Sequence, residues 1–467
     1  MSEDPVRIHP KSIGVSSLRL GPFYTVVSVE LGNTTTKCVI VSTNLKTAEI
    51  YEIIKEVRLT RDVRAPEKGE SVFGKTVFGI ELTRESVAEF VSEIVQAAVG
   101  RAKLDIAKDI HFVVRSTGVS AGFASPDEVG ELVKALANGC LLAGVPPRKM
   151  TASMSPGDLP PGLREFTWLK KVYFDGAIAS VKPPADASVV ANEMEGELVT
   201  AGIKGAVKGT GIDIRNPLVS LDFGTTLAGR VTNDDYPYAR TVGSFAGLAG
   251  AIPDAMACGS GHVDEVYGCF LDLPDSGKQH VSVDLPWLES ARRIIRVKEV
   301  PKGASKFGTV PVNPEAARSS DLLLIGVDAG ENGSALPELE RLGKELVDAG
   351  GVDHLVAAID GIQADIVQRI IEIVDGRGLV LKETSLGLTG RAILGGRKPE
   401  ILSSNLCLAD GTRWLKDHQM VFVEDGLAMG AAVAARCMNS MGTRHSPMGG
   451  RKGDKCIMPE RMKLQRG

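Results

Sequence analysis

The sequence predicts an α/β fold of two domains facing each other across a cleft, with an inserted subdomain in the second, and three observations lead there. First, a short segment occurs twice, 192 positions apart: Val27-Ser28-Val29-Glu30-Leu31-Gly32-Asn33-Thr34 and Val219-Ser220-Leu221-Asp222-Phe223-Gly224-Thr225-Thr226. Second, strand-like and helix-like apolar patterns follow one another along the chain, as in stacked strand-helix units. Third, 467 residues suffice for two or more domains, and 52 glycines with an aromatic share of 5% suit many tight strand-to-helix turns.

Residues 1–23 are polar, carry Pro10 and Gly14, show no period and read as an N-terminal extension. The first strand starts near Tyr24, a second covers Cys38 to Val41, and Glu49 to Val57 pairs behind them. Thr83 is a natural N-cap for a helix to about Gly100, whose Val87, Phe90, Val91, Ile94, Val95 and Ala98 share one face. Ile110 to Val114 is a buried strand, and Pro126 starts a helix that runs to Gly144. Prolines punctuate 150–185; Ala187 to Ala201 is helical, with Asn192, Glu193, Glu195 and Glu197 on its polar side.

A Gly-rich link, Lys204 to Asn216, leads into the second hairpin and marks the boundary. The expected domains are therefore 24–215 and 216–440, with an insertion at 270–320 and a basic tail at 441–467. In the second half, Asp321 to Val327 and Ser385 to Gly390 read as strands. Val356 to Val374 reads as an amphipathic helix and Leu427 to Cys437 as an Ala-rich one.

A net charge of −4 speaks against a general nucleic-acid or anionic-membrane binder. The seven cysteines form no CxxC pair, which disfavours a zinc knuckle or disulfide framework and suits a reducing cytoplasm. Neither a signal-peptide pattern nor a spanning apolar run is expected.

Each repeated hairpin carries an acid, an apolar residue, a glycine and small polar residues. Glycine admits a positive φ, turn N–H groups line an anion, and a carboxylate holds a hydrated divalent cation. Two such turns across a cleft would grip a metal-nucleotide from both sides. The plain alternative is two ordinary β-turns. Lys37 reads equally as a solvated strand residue, and Arg391 as a partner of an acid or a helix cap. Cys258 and Cys269 read as buried small hydrophobes.

The pair Glu30-x-Gly32 and Asp222-x-Gly224 resembles the phosphate loops of the actin/sugar kinase/Hsp70 ATPase superfamily. Ser385-Leu386-Gly387-Leu388-Thr389-Gly390-Arg391-Ala392 is similar to its adenosine loop, and Glu424-Asp425-Gly426-Leu427-Ala428-Met429-Gly430-Ala431-Ala432 to its closing helix. Gly243-Ser244-Phe245-Ala246-Gly247 and Gly259-Ser260-Gly261 resemble the Gly-rich stretch of ATP-dependent corrinoid-protein activators. The whole chain, with its Gly-Gly-Arg-Lys-Gly-Asp-Lys-Cys tail, resembles the archaeal methanogenesis marker protein 14 family.

The resemblance implies two actin-like (ribonuclease H-like) domains that bind ATP and Mg²⁺ between them. It gives Glu30 and Asp222 the catalytic and, through water, metal-holding roles. Gly32, Asn33, Thr34, Thr35, Thr36 and Lys37 would bind phosphate from the first loop, Gly224, Thr225 and Thr226 from the second. Thr389, Gly390 and Arg391 would lie along the adenosine.

The chain departs from the superfamily in having Glu30 for the usual Asp, Thr-Gly-Arg for Gly-Gly, and no Cys cluster before Tyr24. The expected function is a slow ATPase that activates or reactivates a redox enzyme or corrinoid methyltransferase of methanogenesis. The expected partner is a protein of that pathway, with a homodimer left open and neither nucleic acid nor membrane involved. The alternatives are a small-molecule kinase, with Asp254 as its base, and a non-hydrolysing nucleotide-dependent scaffold.

Overall fold

The computed structural model describes residues 4–119, 126–150, 177–179, 191, 193–235, 239–274 and 285–441, and two sheets organise them. The first sheet contains β1 (Phe23–Leu31), β2 (Thr35–Asn44) and β3 (Ile50–Leu59), successively antiparallel. β4 (Phe112–Thr117) then pairs parallel with β1, and β5 (Ala177–Ala179) parallel with β4. The second sheet repeats this plan. β6 (Leu218–Phe223), β7 (Leu227–Thr232) and β8 (Thr241–Gly247) are antiparallel neighbours. Beyond them lie β9 (Ile295–Glu299) and β10 (Leu323–Ala329), while β11 (Ser385–Thr389) and β12 (Met420–Val423) extend parallel from β6. The orders β3-β2-β1-β4-β5 and β8-β7-β6-β11-β12 are the same topology, so the twice-occurring segment opens two copies of one architecture.

Among the helices of the described residues, those that cover the sheets include α1 (Arg84–Arg101), α2 (Pro126–Leu142), α3 (Glu193–Ala206), α4 (Ala251–Gly259), α5 (Leu336–Gly376) and α6 (Gly426–Met441). Alternation along the strands decides what each covers. Val27, Val29 and Leu31 point outward to α1 and α2, whereas Val26, Val39 and Val41 point inward to α3 and α6. On β6, Val219, Leu221 and Phe223 face α4 and α5, and Leu218 faces α3 and α6. The middle layer is thus shared by both sheets. Each fully buried Val, Leu or Ile contributes roughly 1.5–3 kcal/mol.

Helix starts follow local chemistry. The Thr83 hydroxyl accepts the Ser86 N–H at 3.0 Å, the expected N-cap of α1. The expected amphipathic segment from Val356 is the second half of α5, which kinks where Gly351 takes φ 75°.

Three expectations change. The N-terminal extension is tied down: Arg7–Ile8 pairs with β12 and Lys11–Ser12 with β3, so it adds an edge strand to each sheet. Within the expected insertion, β9 is the edge of the second sheet itself. The helix expected over Ala187 to Ala201 is α3, and its Glu195 is buried rather than on a polar side. The tail beyond residue 441, residues 151–176 and residues 275–284 lie outside the described residues.

Candidate functional site

Strand alternation aims the two acids at each other. Glu30 is two residues from Ser28 and four from Val26, so it shares the inward face of β1. Asp222 stands in the same relation to Leu218 on β6. Both line a cleft of about 270 Å³, close to the lower end of small-molecule pockets at about 300 Å³. Its walls include Thr35, Lys37, Gly224, Thr389, Gly390 and Arg391. A smaller inner recess adds Gly32, Asn33, Thr225, Thr226 and Glu195. At the mouth, Lys55 donates to Asp425 at 2.6 Å and to Glu424 at 3.3 Å.

The turn glycines work differently from expectation. Neither Gly32 nor Gly224 has positive φ among the described residues. Gly32 is needed for space: a Cβ there would lie 2.6 Å from the Thr35 carbonyl oxygen, which accepts the Gly32 N–H at 3.1 Å. That N–H is therefore not free for an anion. Gly390 is the position where φ is positive, at 96°, and a Cβ there would lie 2.4 Å from Asp222 Oδ1. Only glycine lets β11 end against the carboxylate.

Several expected phosphate ligands have structural partners instead. Asn33 donates to the Gly118 carbonyl and accepts the Val77 N–H, both at 3.0 Å, and so braces the first turn. Thr36 is fully buried on the outward face, where its hydroxyl meets that of Thr60 at 3.0 Å. Consecutive strand residues cannot all face one ligand, so Thr35 and Lys37 line the cleft and Thr36 does not. Thr34 binds Thr225 and Asp254 at 2.8 and 3.0 Å. The Thr389 hydroxyl accepts the Gly426 N–H at 3.1 Å, which sets the start of α6. Arg391 is held in an ion pair with Asp254, the acid-partner alternative, and lines the cleft and recess rather than lying free for a base.

Glu195 is the residue that sequence reasoning missed. α3 brings it in because Gly196 lets the helix approach β7: a Cβ on Gly196 would be 2.9 Å from the Gly229 carbonyl oxygen. Glu195 is buried, and its Oε2 has no hydrogen-bond partner. Glycines facing a glycine-bearing strand were the available signal. Asp425, in the left-handed region at φ 51°, also joins the cleft.

Burial, and then mutual repulsion, raises the pKa of these acids. Asp222 is pushed up to about 7 by burial and by Glu30. Burial, then Asp222 and Glu30, hold Glu195 well above the usual range. Glu30 is raised by burial, against which Lys37 acts in the opposite direction. An unpartnered carboxylate oxygen and crowded acids fit a hydrated divalent cation. Among the described residues no three His, Cys, Asp or Glu converge as direct metal ligands, so Glu30, Asp222 and Glu195 would hold it through water.

The raised acids set a pH dependence. The folded protein keeps protons that an unfolded Asp or Glu releases near pH 4, so this cluster's stabilising contribution is present below about pH 4 and lost as pH rises through about 7. Asp222→Asn is expected to flatten that decline, read as melting temperature against pH from 5 to 8. Parallel curves for the two proteins would remove Asp222 as its source.

Two like-built sheets whose acid-bearing turns share one cleft define a mixed α/β protein with a charged site between the sheets. The chain belongs to the family described as "Uncharacterized protein conserved in archaea (DUF2114)", which it matches over residues 23–465. An uncharacterized protein of Methanocaldococcus jannaschii is 50% identical over 458 residues, 98% of this chain and 94% of the relative. One of Methanothermobacter thermautotrophicus is 51% identical over 465 residues, 97% and 86% of the two chains.

Solved structures with some likeness include a reductive activator for corrinoid, iron-sulfur protein, with a TM-score of 0.39 and 12% identity. The match covers 96% of this chain, which spans 62% of that activator. The activator of the 2-hydroxyisocaproyl-CoA dehydratase from Clostridium difficile with bound ADPNP has a TM-score of 0.35 and 12% identity, covering 95% and 97%. No helix among the described residues is long and apolar enough to cross a membrane.

Proposed function

We propose that the protein binds ATP with Mg²⁺ in this cleft, hydrolyses it slowly, and uses the cycle to activate a protein partner in methanogenesis. The observation that carries this reading is the meeting of two like-built turns, with Glu30 and Asp222, at one cleft that also holds Lys37 and Arg391. The domains would be 24–215 and 216–440, one per sheet, and the family would be that of methanogenesis marker protein 14. Occurrence in two methanogens supports the pathway.

In this reading Lys37, Thr35 and the second turn at Gly224, Thr225 and Thr226 position phosphate, and Thr389 and Gly390 border the nucleoside. Bound Mg²⁺ would supply charge neutralisation and orientation. Glu30 and Asp222 would hold its waters, and Glu195, which the cation's charge would let ionise, would hold a water and accept its proton. Glu30 is one methylene longer than Asp, about 1.5 Å, and a misplacement of about 1 Å can cost about 10²-fold, so slow intrinsic turnover is expected.

A small-molecule kinase is disfavoured by Asp254, its candidate base. Asp254 is fully buried and paired with Arg391, and it accepts the Phe270 N–H at 3.0 Å, so no acceptor hydroxyl reaches it. Calorimetric titration with ATP, with and without Mg²⁺, paired with a phosphate-release assay, tests the proposal. Magnesium-dependent binding with slow release is expected. Absence of binding would reject it, and fast release by the isolated protein would favour an autonomous enzyme.

A further inference from the structure

On that nucleotide reading rests a role for Arg391, whose side chain is 10% exposed beside an Asp254 that is fully buried. Arg391 Nη1 donates to Asp254 Oδ1 at 3.1 Å, and Nη2 donates to Asp254 Oδ2. The same Nη2 donates to the Thr34 hydroxyl at 2.8 Å. Thr34 gives its one proton to Asp254 at 3.0 Å, so the Thr225 hydroxyl, 2.8 Å away, must donate to Thr34. One network therefore joins the first turn, the second turn, the end of β11 and the start of α4.

The seat is built for this side chain. A Cβ on Gly250, at the start of α4, would lie 2.5 Å from the Gly224 carbonyl oxygen and 2.9 Å from Arg391 Nη2, so a glycine there leaves room for both the second turn and the guanidinium. Arg391 lines both the cleft and the inner recess between the turns, and the cations bordering that recess are Arg391 and Lys37. A guanidinium has five N–H donors in a fixed fork, and three hydrogen bonds engage Arg391 here. Donors remain after Asp254 has fixed its orientation. A plain structural ion pair needs neither a place on both cavities nor spare donors beside the two turns.

We propose that Arg391, oriented by Asp254, is the specificity-determining residue that distinguishes a nucleoside triphosphate from a diphosphate, by donating to the terminal phosphate in the inner recess. Asp254 is then a positioning residue, which accounts for a carboxylate buried beside the site yet closed to any acceptor. The Thr34–Thr225 contact ties the two turns together beside the guanidinium.

Calorimetric titration with Mg²⁺ and either ADP or the β,γ-imido analogue of ATP tests this. Arg391→Gln is expected to weaken the analogue by about 10- to 100-fold, the range of a lost charge-assisted hydrogen bond, and ADP by less than about threefold. Asp254→Asn keeps the guanidinium but frees it, and is expected to show a smaller loss with the same selectivity. The double variant Arg391→Gln/Asp254→Asn leaves no unpaired buried charge, so its folding is protected, and it should reproduce the selective loss. Equal weakening of both nucleotides, or a double variant with wild-type discrimination, would overturn the assignment while leaving nucleotide binding standing. A wild-type protein that binds neither nucleotide would overturn both.

Discussion

Asp222→Ala is expected to lower ATP turnover by about 10²- to 10³-fold, the cost of losing one preorganised electrostatic group, without loss of the fold. The side chain makes none of the structure's hydrogen bonds that brace the turns; those run through Asn33, Thr34, Thr36 and Thr389. Its burial beside Glu30 and Glu195 instead disfavours its ionised form. Its removal should relax the remaining pair, so the variant should melt at or above the wild-type temperature at pH 8. Phosphate release in saturating ATP and Mg²⁺, together with thermal unfolding, checks both halves. Turnover at the wild-type rate would place the metal-holding role elsewhere in the cleft.

Gly202→Ala is expected to lower the melting temperature by a few °C, although a Gly-to-Ala change inside a helix ordinarily stabilises by about 0.5–1 kcal/mol. A Cβ on Gly202 of α3 would lie 1.8 Å from the Gly426 carbonyl oxygen and 2.8 Å from the Gly430 nitrogen of α6. Both are backbone atoms, so no rotamer relieves the clash, and overpacking of this kind costs about 1–3 kcal/mol or more. The helices would separate in the layer that both sheets share, and Gly426, which donates to Thr389, would move with them. The control is Gly100→Ala, where a Cβ meets nothing within 4 Å. If the two variants melt alike, the close helix crossing is not what holds the middle layer together.

Much of the scaffold was legible along the chain because its signals are local. Alternation of Val and Leu around Glu30 and Asp222, the Thr83 cap and the spacing of α5's isoleucines each depend on a few consecutive residues. Where expectation failed, a local signal was missing or was overridden. Arg7–Ile8 and Lys11–Ser12 are too short to show a period, and their partners are more than 35 residues away in sequence. A list of neighbours such as Thr34 to Lys37 ignores that a strand sends alternate side chains to opposite faces, which is why Thr36 went to the core. Glu195 read as polar surface because nothing in its own helix announces that Gly196 will meet Gly229.

By itself, the sequence determined two acid-bearing hairpins of one design within a mixed α/β fold. Those follow from side-chain period and turn chemistry, which act over a few residues. Only the tertiary structure decided that the two turns touch, that Glu195 makes a third buried carboxylate, and that Arg391 spends its charge on Asp254. These depend on groups separated by 27 to 357 positions in the chain, whose approach is set by helices packed through glycine between two sheets, and whose electrostatics exist only once burial has removed the water that would screen them.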